Sequence, residues 1–568
     1  MTQSRSYLAR RTVALLIALL PVSALAGDEK VDLATVHRIK DEAFRGSKVM
    51  EHLFFLTDAN GPRLTNSPGQ RAAADWAVRT IKSWGIDNAH QETWGKFGRG
   101  WSLKRFTMNL EAPVYAPLQG VPLAWSSGTN GVVSGEPVVA VLFGAQEMEK
   151  RDDRDPAKLD AHITKYIADN KGKLHGKFVL LTEPREMTLP TEAESHRLDE
   201  KELGDLQKAP EPIAALPIHW PITSLPDDPK KREQLFASAP FAVRNDLSDR
   251  LRHTRDRLNT FFKEEGVAAV LSGDSRGMGG ILFAEAAGSY EDGAPIPPPR
   301  ISLAPESYDR LCRLVDKKIP VRIALDMEAT FDEKDLDGKN VVAEIEGGSK
   351  KDEVVMLGAH LDSWHSGTGA TDNAAGSAVV LEAMRILKTL GLKMDRTVRL
   401  GLWTGEEQGI LGSSGYVTKH FADMVTMRTL PEHAKLSGYF NIDNGTGKIR
   451  GVYLQGNDMM RPIFAAWLAP FEDLGAKTIS IHDTGGTDHL PFDAVGLPGF
   501  QFIQDPLDYS TRTHHSNVDV YDHVQAADLM QAAAILASVV YDAATRPEML
   551  PRKPMPKPLP PKETAPAR

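Results

Sequence analysis

The chain has 568 residues, with 67 Lys and Arg against 76 Asp and Glu, a formal net charge of -9 at pH 7. That length exceeds one ordinary domain and predicts two lobes or a domain carrying a large insertion. At 41% hydrophobic and 25% charged residues the composition is globular; the acidic balance leaves no basic stripe for nucleic acid, and the lone Cys312 excludes an internal disulfide.

Residues 1–26 carry Arg5, Arg10 and Arg11, then the apolar run TVALLIALLPVSALA ending in Ala24-Leu25-Ala26. Positive region, apolar region and small-residue cleavage pattern in that order predict a secretory signal peptide, too short for a membrane span. The mature protein is therefore expected to be periplasmic or extracellular, without a membrane span. Removing three arginines and no acid takes its formal charge from -9 to -12.

Residues 29–110 open with helical material and LTDANGPRLTNSPGQRAAADWAVRTIKSWG, a loop entering a helix with Ala73, Trp76, Ala77 and Ile81 on one face and Gly85 as its cap. From 111 to 335 the texture changes to short apolar runs, EPVVAVLF, KFVLLT, GVAAVLSG and VRIALDM, separated by charged and proline-rich stretches, the longest at 185–255. This predicts a smaller, inserted mixed-sheet domain. Within it, DRLCRLVDK is amphipathic and helical, so Cys312 is read as a small core residue.

From 336 to 545 the strands NVVAEIEG, EVVMLGAH, TVRLGLW, GYFNIDN and PGFQFIQD alternate with the helices AAGSAVVLEAMRILKTLG and AADLMQAAAILASVVYDAA. The pattern predicts an α/β fold, a mostly parallel sheet flanked by helices, with its active crevice beyond the carboxyl ends of the strands. The tail, 546–568, is proline-rich and expected to be extended or disordered.

Those strands end in chemistry. EVVMLGAHLDSW delivers His360 and Asp362, TVRLGLWTGEE delivers Glu406 and Glu407, and GYFNIDNG delivers Asp443; Asp372 stands before a helix in GATDNAAGS, and His514 and His515 follow in TRTHHSNVD. Several strand ends presenting His or carboxylate to one edge make a convergent site. Imidazole with carboxylate and no thiolate suits zinc. The three charges of Asp372, Glu407 and Asp443 exceed one dication, whereas two dications and one hydroxide sum to zero with them; protonation or arginines would balance the count equally well. Asp362, two residues after His360, is placed to accept the second imidazole N–H. Neighbours on extended chain diverge, so bringing both glutamates of WTGEEQG to one site requires a turn at Thr404 and Gly405. HExxH and P-loop signatures are absent.

GAHLDSW, GATDNAAGS, LWTGEEQG, NIDNG, GGTDHLPF and HHSNVD, in this order, resemble the zinc exopeptidase family of aminopeptidase Y and the glutamate carboxypeptidases, most nearly its carboxypeptidase Q branch. The likeness runs over about 336–545, and LTDANGPRLTNSPG resembles the family's N-terminal segment. The insertion resembles a protease-associated domain through GKFVLLTEP, EEGVAAVLSGD and PRISLAPESYDRL; 185–255 has no counterpart. The resemblance implies two zinc ions per chain, one on His360 and Asp443, the other on Glu407 and His515, with Asp372 bridging and a cis peptide to Asn373. It makes Glu406 the general base. His515 is preferred to His514 because the family's ligand directly precedes Ser or Thr, here Ser516. Asp488 and His489 of GGTDHLPF, and Tyr509, Arg512 and His514, are candidates for substrate contact, with structural duty equally open for the first two. The implied substrate is a small peptide, particularly a dipeptide. An aminopeptidase, a glutaminyl-cyclase-like acyltransferase and a catalytically silent binding protein are the alternatives, and an oligomer is compatible with all of them.

Overall fold

The runs VVMLGAH and TVRLGLW are apolar on both faces, as strands covered by helices on each side must be. In the computed structural model, which describes residues 29–188 and 190–563, they lie side by side at the centre of an eight-stranded sheet. The expected signal peptide, residues 1–26, lies outside the described residues. Strand order is His90–Lys96, Asp337–Ile345, Arg396–Trp403, Lys350–His360, Leu436–Asn441, Gly499–Gln504, Ile449–Tyr453, Thr478–Ser480. The four strands from 396–403 to 499–504 pair in parallel, so their carboxyl ends share one edge. Antiparallel pairings at 90–96 with 337–345, 337–345 with 396–403, and 449–453 with 499–504 make the flanks mixed.

On one face Leu33–Arg45, Val49–Leu56, Ala375–Thr389 and Ala526–Thr545 share a core with Val355, Leu357, Leu400 and Phe440. By length and composition Ala526–Thr545 could cross a membrane, but it is mostly buried against the helices 375–389 and 33–45, the behaviour of a core helix. The other face buries Trp403, Tyr416, Tyr439 and Phe492, the last two stacked with ring centroids 4.2 Å apart.

The chain leaves this sheet after Lys96 and rejoins it at Asp337. Gly100–Ala112 pairs with Arg322–Asp332 as a long antiparallel ribbon leading to a five-stranded sheet ordered 120–122, 300–303, 269–273, 178–182, 137–143. The insertion thus begins near residue 100, earlier than the 111 read from sequence. A strand's own pattern carries no mark of which sheet it will pair with. Cys312 is buried in the helix Pro305–Asp316, and burial pushes its thiol up to about 11.

The 185–255 stretch contains Glu200–Gln207 and Pro229–Ser238 and most of the 241–265 helix. Glu200–Gln207 starts with a capping box between Asp199 and Glu202. Just before it, Arg197 pairs with Asp505 at 2.9 Å and Asp528 at 2.8 Å of the main domain. The tail corrects the expectation of disorder. Residues 546–563 form neither helix nor strand, yet Leu550 is buried, Arg552 donates to the carbonyls of His433 (3.0 Å) and Leu436 (2.6 Å), and Lys553 pairs with Asp493 at 2.6 Å. Proline removes backbone donors; the interspersed Arg and Lys side chains supply replacements.

The outer strand His90–Lys96 is tied to the helix Leu411–His420 by charge. His420 lies 2.7 Å from Glu92 and 3.3 Å from Glu432; burial opposes its charge, but the two carboxylates win and raise it to about 9, while Glu92 falls to about 2 despite burial. A folded value above the ordinary 6.5 means the charged ring stabilises fully below pH 6.5 and loses that contribution as pH rises through about 9. Urea titrations of wild type and His420→Asn should therefore differ most near pH 6 and converge towards pH 9.5. A constant difference would assign the effect to packing.

Candidate active site and metal centre

His360 is the last residue of its strand. After Trp403 the chain turns where the sequence requires it, with Gly405 at φ +73°, a region glycine adopts without strain. The turn is bonded on all sides: Thr404 N–H donates to Asn340 (3.1 Å), the Thr404 hydroxyl to the Lys339 carbonyl (2.9 Å), and Gly405 N–H to the Thr65 hydroxyl (3.0 Å). The Asp362 carboxylate accepts that Thr65 hydroxyl (3.0 Å) and the N–H groups of Glu406 and Glu407 (3.3 Å each). Its expected bond to the imidazole is not made. His360 Nδ1 faces the Asp362 backbone carbonyl at 3.0 Å, and the carboxylate is 3.6 Å away. Side-chain alternation holds only within a strand, and this one ends at His360.

Asp372 precedes the helix Ala375–Thr389 across a cis peptide to Asn373. Asp519 accepts the N–H groups of Thr371 (2.6 Å) and Asp372 (3.2 Å), and Asn373 donates to the Ile442 carbonyl at 2.8 Å. So held, Asp372 reaches two groups at once. Its Oδ1 lies 3.3 Å from His360 Nε2, which lies 3.4 Å from Asp443 Oδ1. Its Oδ2 lies 3.3 Å from His515 Nε2, which lies 3.0 Å from Glu407 Oε2. Tetrahedral zinc with bonds of ~2.0–2.1 Å has ligand-to-ligand edges of about 3.3–3.4 Å, close to these separations. His360 Nε2, Asp372 Oδ2 and Asp443 Oδ1 are buried without a hydrogen-bond partner, and such atoms demand a ligand. The residues present fit divalent cations at two positions sharing Asp372. His514 stacks on His515 at 3.8 Å, with Nε2 3.7 Å from Asp372 Oδ2, and is the more exposed ring, 35% against 17%.

Burial pushes Glu406 well above the usual carboxylate range; His360 pulls it back, while Asp443, Asp488 and Glu407 add repulsion. Burial and Asp372 likewise raise Glu407 to about 8, against His515. Asp372 goes the other way: burial is outweighed by His360, His515 and His514, which hold it low. Behind the site Arg63 is fully buried and donates to the carbonyls of Leu361 (2.7 Å), Leu56 (2.8 Å), Thr368 (2.7 Å) and Gly369 (2.9 Å). It is a fixed positive charge that stitches the N-terminal segment to the loop before Asp372.

The candidate substrate contacts divide. Tyr509 packs edge-on to His514 at 4.8 Å and lines a cavity of about 570 Å³ together with Asn444, Gln504 and, from the inserted segment, Leu198 and Leu206. Burial, Asp372, Asp443 and Glu407 keep its phenol protonated. Arg512 is committed to Glu194 at 2.6 Å. His489 is buried between Gln455 (2.9 Å) and the Thr484 carbonyl (3.1 Å), and burial pushes it down to about 4. Asp488 is fully buried, accepts the Ser413 hydroxyl at 2.5 Å, and is raised by burial to about 8. None of the three lines the cavity; Asp488 Oδ2 and His489 Nδ1 are buried without a hydrogen-bond partner. Sequence reading missed Arg63, Thr65, Asp519 and Glu285. The first three lie within motifs already noticed, LTDANGPRLTNSPG and HHSNVD, whereas Glu285 in the insertion carries no signal; it lies 2.8 Å from His515 Nδ1. Replacing Asp362 by Ala removes three bonds to a buried charged acceptor and should lower stability by about 3–5 kcal/mol, measured by denaturant titration; a loss under about 1 kcal/mol would mean the turn holds itself.

Residues 340–540 match the family model described as Peptidase family M28. Carboxypeptidase Q of Rattus norvegicus is 35% identical over 265 residues, 46% of this chain and 53% of that protein, so the chain spans about half the length of this curated relative. A solved peptidase M28 precursor from Shewanella amazonensis superposes with a TM-score of 0.61 at 22% identity, covering 92% of this chain and 98% of that one. The zinc aminopeptidase BSAP of Bacillus subtilis gives 0.51 at 18%, covering 89% and 97%. Residues 340–540 are thus similar to peptidase family M28, and the solved structures share the fold around them.

Proposed function

We propose that the chain is an exported exopeptidase that holds two zinc ions and hydrolyses small peptides, dipeptides among them. The observation that carries this is Asp372, whose two oxygens each face a separate imidazole–carboxylate pair. Zinc is favoured by the donor chemistry and by the printed name of the Bacillus subtilis relative. His360, Asp372 and Asp443 would hold one ion, and Asp372, Glu407 and His515 the other. Ions held there would supply positive charge that polarises a peptide carbonyl and acidifies water.

Glu406 belongs to neither cluster, its Oε2 standing 4.0 Å from His360 Nε2. It is the group free to take a proton from the attacking water and return it to the leaving amine. Tyr509, protonated, can donate to substrate from the cavity wall. The cavity is of small-molecule size and has Leu198 and Leu206 of the inserted segment in its lining, a size that favours short substrates. Export is supported by the pattern in residues 1–26.

C-terminal polarity is favoured by Arg276 of the inserted domain. Its exposed guanidinium packs over Phe283 at 3.8 Å, donates to the His514 carbonyl at 3.4 Å, and forms no ion pair among the described residues. A cation beside the site suits a substrate carboxylate. With zinc-loaded protein, cleavage of a dipeptide should survive blocking of its amino terminus and stop when its carboxylate is amidated. The opposite pattern makes it an aminopeptidase, and release of a cyclised product an acyltransferase. Glu406→Gln should lower turnover by about 10³-fold or more with zinc content still near two per chain by atomic emission; retained turnover would remove Glu406 as the base.

A further inference from the structure

The two cation positions differ in what holds their ligands. His360 ends one strand of the main sheet and Asp443 stands two residues beyond another, Leu436–Asn441, and the second imidazole nitrogen of His360 is satisfied within that domain, by the Asp362 carbonyl. His515 is held by the insertion, and Glu407, whose backbone N–H is fixed by Asp362 of the main domain, meets the insertion only at one remove. Glu407 Oε1 accepts the N–H of Trp364 at 3.2 Å, and the Trp364 ring packs edge-on to Trp125 of the insertion, centroids 6.2 Å apart. His515, at φ +66°, sits in a conformation that non-glycine residues adopt at a cost.

The insertion supports that conformation directly. Its segment 280–286 runs beside 515–517: Ala284 N–H donates to the His515 carbonyl (3.0 Å), Asn517 N–H to the Leu282 carbonyl (2.9 Å), and Leu282 N–H to the Asn517 side chain (2.8 Å). On its other side the segment is fixed by Ala124, whose N–H donates to the Glu285 carbonyl at 3.0 Å and whose own carbonyl accepts from Ala287 at 2.9 Å. Glu285 is thereby anchored on both flanks, and its Oε1 lies 2.8 Å from His515 Nδ1, while His515 Nε2 points to Asp372 and Glu407.

We propose that Glu285, supplied by the inserted domain, is the positioning residue of the Glu407–His515 cation position: it fixes the proton on His515 Nδ1 and leaves Nε2 free to bind metal. This rests on the two-cation reading. A carboxylate behind a ligating imidazole raises its basicity and fixes its orientation, and its loss typically costs 10–100-fold in metal affinity. The insertion would then set the affinity of one ion and leave the other to the main sheet.

The test is zinc competition against a chromophoric chelator on the full chain, for wild type, Glu285→Ala and Glu285→Gln, with thermal unfolding of each metal-free protein. One of two zinc affinities should fall about 10–100-fold in Glu285→Ala and less in Glu285→Gln, whose amide oxygen still accepts a hydrogen bond, with metal-free unfolding temperatures unchanged. Cobalt substitution should show an altered visible spectrum for one ion only. Unchanged affinities, or metal-free proteins destabilised alongside them, overturn the proposal. Wild type that takes up no zinc would instead overturn the two-cation reading beneath it, so the two failures are distinguishable.

Discussion

The whole site depends on burying carboxylates together. Asp362, Asp372, Glu406, Glu407, Asp443 and Asp488 all have buried side chains at the carboxyl edge of one sheet, and each uncompensated buried charge costs several kcal/mol. Compensation is graded. Asp362 is satisfied by a hydroxyl and two backbone N–H groups, Asp372 by imidazoles on both sides, and Asp488 by a hydroxyl together with a raised proton affinity. Glu406 has the least. A carboxylate that protein groups leave undersatisfied is one poised to hold a proton, so the exchange of desolvation cost for basicity is built into its place beside the turn.

The same accounting explains why the surrounding backbone is so fully bonded. Thr65, Asn340 and Asp362 fix the turn at 404–407; Asp519 and Asn373 fix the approach to Asp372; Arg63 ties the two regions through four carbonyls. Like charges buried at one strand edge repel, and a framework that resists relaxing keeps them there. That framework uses short polar residues and backbone groups, which lose little entropy on being fixed.

Which part of this was legible depended on whether a residue's role is local. Strands buried on both faces, a helix closed by Gly85, and donors lying just beyond strand ends are written in nearby residues, and His360, Asp372, Glu406, Glu407, Asp443 and His515 do converge. Roles set by a distant partner were illegible. Asp362 reads as an imidazole acceptor until the strand is seen to stop at His360; Arg512 reads as a free cation until Glu194 comes back to meet it; Gly100–Ala112 has no visible partner until 322–332 arrives. The tail misled for a related reason, since its composition argues against a core but says nothing about docking on one already formed.

The insertion shows how a second domain becomes part of a site without contributing a metal donor. It departs after Lys96 and returns at Asp337, two adjacent antiparallel strands of the main sheet, and the ribbon 100–112 with 322–332 continues from them. A ribbon alone leaves a domain free to rock. Here further ties stand around the strand ends: Arg197 to Asp505 and Asp528, Glu194 to Arg512, His365 to the Pro122 carbonyl, and the pairing of 282–284 with 515–517. Two of these ties lie in the very loop that carries His514 and His515. Any displacement of the insertion must therefore move His515 or break its support, so the pose of the domain and the geometry of the second cation position are one structural variable.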